Sequence, residues 1–572
     1  MNAVVTPSDD AAGAPPVGPP AATRTAPPPW RASDPAVRFR WLLLAAVAVG
    51  LVIRVAIGMT DDAATTDETA YLRSGQALAN GDGFQRDGHP ELHFPPFLPF
   101  LLGAASHVVD DPHDGTVALT ALSGAVLIVP LSLLARRIAG RTAGVATAWL
   151  AALAPGLATM PQIRGTGSEA EYVLLVISAL WFTVSAVDHE GRARLARVAG
   201  AGLLAGLAYL TRPEGLFMAV PLFLAVLYMA WRGRAGAGAA GVRTTTAAFL
   251  VPLLLCVVPY AAYLHANTGR WELTAKTQDA SIEAWHAVAE GDRESRNRVL
   301  YGLDDTGLQF SADYESLPSL AAESPRRYVR IVATNVDKLG EVVADHTVLP
   351  TALVLLAGAG IWLARRSRVA WLVLAVGTLP VASALVFFVQ QRYLIVAVAV
   401  AVVFAGVAVA AIPQRARVPV LAIALLMAGF ASVMTFRGEA AGWWHPAEQS
   451  EQRLAGEWLD ANTEPGDRIM TRSMIVSFYS ERVTVAMPHT GVEGMLTFAR
   501  HYGVRYVVAD QYTVDRLIPE LTPLFDQDDI PGLRLVQVVS SENRVARIFA
   551  VDPAPPPSLD DPPLLGFTGD AG

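Results

Sequence analysis

The chain has 572 residues, 52% of them hydrophobic and only 17% charged, with a mean hydropathy of +0.36. Soluble domains carry about 25% charged residues, so this deficit excludes an ordinary soluble protein and points to a polytopic membrane protein. A net charge of -8 and a pI near 5.8 argue against a nucleic-acid partner, and the single cysteine, Cys256, excludes an internal disulfide.

Residues 1 to about 36 are rich in Pro, Ala, Thr and Asp and lack hydrophobic periodicity. Such a segment buries too little apolar surface to offset its ordering entropy, so a disordered cytoplasmic tail is expected over 1–40. It is too long and proline-rich for a cleavable signal peptide, which makes the first hydrophobic run a retained anchor. About eleven runs of membrane-spanning character follow, near residues 41–59, 116–135, 142–160, 170–187, 198–211, 215–231, 246–265, 348–364, 369–388, 393–412 and 418–436. A short amphipathic helix from Phe97 to Val109 is expected to lie at the interface without crossing.

Arginine bias in the short loops sets the orientation. Arg38 and Arg40, then Arg136, Arg137 and Arg141, Arg192, Arg194 and Arg197, Arg232, Arg234 and Arg243, Arg365, Arg366 and Arg368, and Arg415 and Arg417 all fall on one side. The opposite short loops hold only Arg164, Arg212 and Arg392. The amino terminus is therefore expected in the cytoplasm. The loops 60–115 and 266–347 and everything after Phe436 are expected outside the plasma membrane. The whole reads as a polytopic α-helical membrane protein with a small extracytoplasmic α/β domain over 437–552 and a disordered tail over 553–572. Within that domain, Pro446–Thr463 and Gly491–Tyr502 read as helices, and Arg468–Thr471, Val483–Ala486 and Arg505–Ala509 as strands. Leu533–Val539 and Arg544–Val551 read as a hairpin.

The loop after the first span carries Asp67 and Glu68 in Thr65-Thr66-Asp67-Glu68-Thr69-Ala70-Tyr71. Two carboxylates beside a span can stay ionised and meet both a lipid headgroup and a soluble substrate. The same pair also reads as an ordinary helix start, with Thr66 or Asp67 as cap, and the two readings are compatible. His89 and His93 are four residues apart, with Glu91 between them, but Pro90 and Pro95 oppose a regular helix. They read as interfacial polar residues rather than metal ligands. Glu169, in Gly165-Thr166-Gly167-Ser168-Glu169, sits at the membrane edge on the same side as Asp67, with Ser168 as the cap of the next helix. Lys276, one of only two lysines, and Arg212 and Arg392 stand at outer ends of spans. Each alone fits interfacial snorkelling; together, opposite the acids, they fit a cradle for a lipid phosphate.

These residues resemble the GT-C superfamily of polytopic glycosyltransferases, in particular the polyprenyl-phosphate-mannose (dolichyl-phosphate-mannose mannosyltransferase-like) group. The matching pieces are Arg54, Asp67-Glu68 with Tyr71, Gly81-Asp82-Gly83, Phe94-Pro95-Pro96-Phe97-Leu98-Pro99 and Ser168-Glu169-Ala170-Glu171-Tyr172. Gly206 to Gly215, Thr274-Ala275-Lys276-Thr277 and Gln391-Arg392-Tyr393-Leu394 complete the membrane set. Glu457-Trp458-Leu459, Pro465-Gly466-Asp467 and Tyr502-Gly503-Val504-Arg505-Tyr506 extend it to the soluble end, so the resemblance covers about residues 40 to 550. It implies transfer of a sugar from a polyprenyl-phosphate donor to a cell-envelope glycan, lipid or protein acceptor on the extracytoplasmic face, with inversion. Asp67 would be the base, and Glu68 and Glu169 would orient sugar or acceptor. Lys276 or Arg392 would meet the leaving phosphate, and Arg212 and Tyr393 would complete its site. The resemblance names no certain cofactor and leaves room for a divalent metal. A flippase of lipid-linked sugars and a non-catalytic envelope scaffold are the alternatives. The former predicts ionisable groups at mid-membrane, the latter that the loop carboxylates can be changed freely.

Overall fold

The computed structural model describes residues 34–60, 64–163, 167–232, 234–288, 291, 293–311, 316–437, 450–527, 529–541, 544–558, 560 and 563. Residues 1–33 of the tail expected over 1–40, the turn 164–166, residues 446–449 of the expected helix, and most of 559–572 lie outside the described residues, whereas residues 35–40 of that tail are helical, the first span starting at Pro35 with Asp34 as its cap.

Nine helices among the described residues are long and apolar enough to cross a membrane. One of them, Pro112–Leu153, is a hairpin rather than a rod. Its backbone leaves helical geometry at Ala139 and Gly140, and Ser132 Oγ donates to the Gly144 carbonyl at 2.9 Å. Straight helix would separate those residues by about 18 Å, so the two legs run antiparallel and hold the second and third expected runs. The eighth run appears as the shorter apolar helix Thr351–Ala364. Its 14 residues span about 21 Å. It packs closely on the helix Ile395–Ala411 because Gly360 has no side chain: a Cβ there would lie 1.9 Å from the Phe404 carbonyl oxygen. Small residues at such crossings let helices touch where lipid supplies no hydrophobic drive. Leu255, Leu355, Val418, Leu426 and Phe430 point outward, as lipid-facing side chains do.

The third run differs from expectation. Regular helix stops at Leu153 instead of residue 160. Pro155 disfavours helical backbone at the residue before it, and Ala154 is extended (φ -62°, ψ 123°). Two single-turn helices, Pro155–Ala158 and Met160–Ile163, follow. The break leaves backbone carbonyls short of partners, and Arg54 from the first span supplies them. Its Nη2 donates to Ala151 O at 3.1 Å and Leu157 O at 2.8 Å, and its Nη1 to Gly50 O at 2.9 Å. Arg54 is 1% exposed and thus serves as an internal splice between the first and third runs.

The arginine-rich turns meet at the end of the bundle away from Asp67. Arg136 lies 4.8 Å from the Phe39 ring, Arg137 pairs with Asp188 at 2.8 Å, and Arg368 reaches the Tyr228 hydroxyl at 3.2 Å. At the other end the loop after the first span forms the helix Thr66–Asn80 and a two-residue hairpin, Gln85–Arg86 with His89–Pro90. Asp87 (φ 50°) and Gly88 (φ 86°) close it as a primed turn, which suits Asp-Gly. His89 is therefore on a strand and His93 beyond it, so the two do not share a helix face. The interfacial helix spans Phe97–Ala105, shorter than the expected Phe97 to Val109. It buries Leu98 and Leu102 and exposes Phe100.

The C-terminal domain is a five-stranded mixed sheet. Arg468–Thr471 lies between Val483–Ala486 and Val504–Asp510, both parallel to it; Val545–Val551 then runs antiparallel to Val504–Asp510 and to the edge strand Leu533–Ser540. The helices Ser450–Asn462 and Val492–His501 accompany it, with a short helix, Met474–Ser480, that the sequence reading missed. That short helix docks on Thr66–Asn80: Arg73 donates to Ser477 O at 2.8 Å, and the Ala64 amide donates to the Tyr479 hydroxyl at 3.2 Å.

Candidate functional site

The site is built from the starts and ends of helices. Helix Thr66–Asn80 begins with a capping box in which the Glu68 Oε2 accepts from the Thr65 amide at 3.1 Å. The cap is Thr65, one residue earlier than the sequence suggested, because the acidic residue at the third helical position selects it. Glu68 Oε1 meets His113 Nδ1 at 2.8 Å, and Glu68 is 4% exposed. Both of its oxygens are thus engaged in holding the helix start. Asp67, one residue before, points the other way and keeps 30% of its side-chain exposure.

Asp67 Oδ2 accepts from Arg392 Nη1 at 2.8 Å. Arg392 lies on the single turn Gln391–Leu394 that leads into the helix Ile395–Ala411. Its Nε donates to Gln390 Oε1 at 3.0 Å and its Nη2 to the Tyr393 hydroxyl at 3.3 Å. The Tyr393 ring sits between two guanidinium groups, each 5.2 Å from its centroid: Arg392 and Arg212. Arg212 ends the helix Gly191–Thr211 in extended backbone before Pro213. It donates to Glu169 Oε1 at 3.1 Å and Ser168 Oγ at 3.2 Å and pairs with Glu214 at 3.5 Å. Lys276 places its Nζ 4.1 Å from the centroid of Phe94, at the end of the proline-fixed entry to the interfacial helix.

The electrostatics follow from this crowding. Burial alone would raise the Asp67 carboxyl, but the Arg392 and Lys276 charges and the Arg392 hydrogen bond hold it below its ordinary value. Glu214 is likewise held down by Arg212 against the cost of burial. Burial pushes the Lys276 ammonium down to about 8, with Asp67 opposing that shift. Asp67, Glu169 and Glu214 thus face Arg212, Lys276 and Arg392 in near charge balance. Each of these carboxylates is coupled to an arginine, so the site offers an anion a cationic cradle.

Asp67, Glu169, Arg212, Lys276, Arg392 and Tyr393 therefore converge, while Glu68 holds the start of the helix that carries Asp67. Glu214, Gln390 and Phe94 join them without an assigned role, and Ser168, at the expected cap position, accepts from Arg212 through its hydroxyl instead of capping the helix with it. Glu214 and Phe94 stand within motifs that drew attention. His113 had no local signal, because its partner lies 45 residues away in sequence.

A family model described as dolichyl-phosphate-mannose-protein mannosyltransferase matches residues 93–268. No curated protein sequence gives a significant match. Among solved structures, the chain is similar to ArnT from Cupriavidus metallidurans bound to undecaprenyl phosphate, with a TM-score of 0.58 and 14% identity over 90% of this chain and 99% of that one. It is also similar to the oligosaccharyltransferase AglB from Archaeoglobus fulgidus, in complex with an inhibitory peptide and a dolichol-phosphate, with a TM-score of 0.52 and 16% identity over 83% and 70%. The Archaeoglobus fulgidus enzyme in complex with zinc and sulfate matches with a TM-score of 0.54 and 17% identity over 82% and 68%.

Proposed function

We propose that this chain, which belongs by its fold to the GT-C superfamily of polytopic glycosyltransferases, moves a sugar from a polyprenyl-phosphate donor to an acceptor hydroxyl on the extracytoplasmic face, with inversion. The observation that carries the reading is a partly exposed carboxylate, Asp67, held below its ordinary value among Arg392, Lys276 and Arg212 at one end of a membrane bundle. The arginine bias of the loops at the opposite end supports placing this end outside the cell. The lipid phosphates bound by ArnT and AglB support the donor class.

In this reading the phosphate of the donor settles among Arg392, Arg212 and Lys276, and the competition loosens the Asp67–Arg392 pair. The freed carboxylate accepts the proton of the acceptor hydroxyl as its oxygen bonds to the anomeric carbon. The bond from that carbon to the phosphate oxygen breaks, and its electron pair leaves on the phosphate. The growing charge there is met by cations already in place, which need not reorganise during the reaction. A carboxylate is a competent base because the hydroxyl becomes acidic only as the new bond forms. Glu68 fixes the helix start that carries Asp67, and Glu169 and Glu214 aim Arg212.

The test uses membranes from cells producing the full chain and a labelled polyprenyl-phosphate sugar. Wild type transfers the label, and Asp67→Asn at equal protein level does not. Transfer by that variant at the wild-type rate removes Asp67 as base and with it the mechanism.

A further inference from the structure

A second polar cluster lies where the 266–347 loop meets the C-terminal domain, apart from the residues around Asp67. The helix Arg293–Tyr301 of that loop is clamped to the domain through its backbone and one asparagine. The His489 amide donates to Tyr301 O at 2.7 Å, Gly302 pairs with His489 as a parallel bridge, and Asn297 Nδ2 donates to Leu517 O at 2.9 Å. These contacts fix His489 against the loop. Its side chain is 3% exposed, and its Nε2 is buried with no hydrogen-bond partner among the described residues. Glu520 Oε2 stands 3.9 Å from that nitrogen, beyond hydrogen-bond reach. One ligand atom each from Glu294, His489 and Glu520 lie within 4.8 Å of one another.

We propose that Glu294, His489 and Glu520 form a divalent transition-metal site, zinc foremost, which fastens the 266–347 loop to the C-terminal domain. An imidazole nitrogen and two carboxylate oxygens are zinc ligands at about 2.0–2.2 Å, and water completes a tetrahedron. Ligand atoms in such a tetrahedron are about 3.3 Å apart, so the observed separations close by about 1.5 Å or less. Rotation of the two glutamates achieves this, since their side chains are 29% and 42% exposed while His489 stays fixed. Burial pulls the imidazole below its ordinary value, against the pull of Glu520, which keeps its lone pair available near neutral pH. Arg298 pairs with Glu294 and is 61% exposed, so it can retain the second carboxylate oxygen or turn to solvent. Calcium is disfavoured because it asks for six to eight oxygens. The site joins three separate stretches of chain, and its occupancy would rigidify the loop that begins with Lys276.

The proposal does not depend on the transfer reaction and is tested without it. The purified full chain is stripped with chelator and equilibrated with buffered zinc, and bound metal is measured by atomic emission. Wild type is expected to take up one zinc that His489→Ala fails to bind and that Glu520→Gln binds about 10-fold or more weakly. Cobalt in place of zinc is expected to give a visible absorption band that both variants lose or weaken. Zinc is also expected to slow tryptic cleavage within 266–347 in wild type only. Wild type that binds no zinc overturns the proposal. So do variants that keep wild-type stoichiometry and affinity, which would place the metal elsewhere. If His489→Ala fails to fold, Glu520→Gln decides, because that side chain is substantially exposed.

Discussion

Replacing Asp67 by Asn keeps the size of the side chain and one oxygen for Arg392 but removes its capacity to take a proton near neutral pH. General-base catalysis is worth about 10²–10⁴-fold, or roughly 3–5.5 kcal/mol at 1.36 kcal/mol per decade. A second effect runs the other way. The Asp67–Arg392 pair is 2.8 Å long with 25% and 30% of the two side chains exposed. Two unit charges at that kind of site attract by about 4 kcal/mol before solvent screening, and roughly 1–2 kcal/mol after it. With the aspartate charge gone, Arg392 is free for the donor phosphate, so KM for the lipid donor is expected to fall by roughly 5- to 30-fold. Initial rates with a radiolabelled polyprenyl-phosphate sugar in proteoliposomes separate the two quantities. The combined signature is kcat down and donor KM down. A misfolded variant loses active enzyme without tightening the donor. A kcat within tenfold of wild type refutes the base assignment. A KM that rises instead refutes the competition between Asp67 and the phosphate for Arg392.

Further outcomes follow from the same geometry. Lys276 titrates at about 8, so its cation is present below that pH and lost above it; kcat/KM for the donor is expected to decline as pH rises through about 8. Lys276→Arg should remove that decline, while Asp67, held below the ordinary carboxylate range, should leave the acid side flat down to about pH 4. Glu68→Gln preserves the capping box and is expected to cost less than tenfold in rate, whereas Glu68→Ala removes the carboxylate that bonds both His113 and the Thr65 amide and should destabilise the protein by about 1–3 kcal/mol, read by thermal unfolding. Glu451, buried with no hydrogen bond at Oε1 among the described residues, is pushed up to about 7 by that burial. A raised folded-state value means that its favourable contribution is present below the ordinary glutamate range and lost as pH rises through about 7. Glu451→Gln is therefore expected to raise the melting temperature at pH 8 by a few degrees and to leave it unchanged at pH 4.

The membrane portion was legible because a spanning helix must satisfy its backbone internally and stay apolar for about 20 residues, a signal written in consecutive positions. The strands of the C-terminal domain were legible through alternation of apolar and polar residues. The third run misled at its end because apolarity continues past Leu153 while Pro155 breaks the helix, and composition cannot weigh one against the other. The residues of the candidate site were individually visible, but their pairing was not. Asp67 meets Arg392 across 325 positions, and no local pattern encodes that. Glu68 illustrates the converse: its neighbour relation to Asp67 suggested a shared chemical role, whereas successive residues on a helix point in different directions and meet different partners.

Arg54 has a consequence for the order in which the protein is made. Two of the carbonyls that satisfy it lie 97 and 103 residues downstream. At about 5–20 residues per second, synthesis reaches them roughly 5–20 s after Arg54 itself. During that interval the first span has a guanidinium with only the Gly50 carbonyl of its own helix as partner, whose cost at mid-bilayer would be about 2.5–3.5 kcal/mol and is lessened by its nearness to the helix end. The first span is thus only provisionally settled in lipid until the third arrives. A ribosome pause or a truncation between the two would leave the nascent chain holding that guanidinium in lipid without its downstream carbonyls.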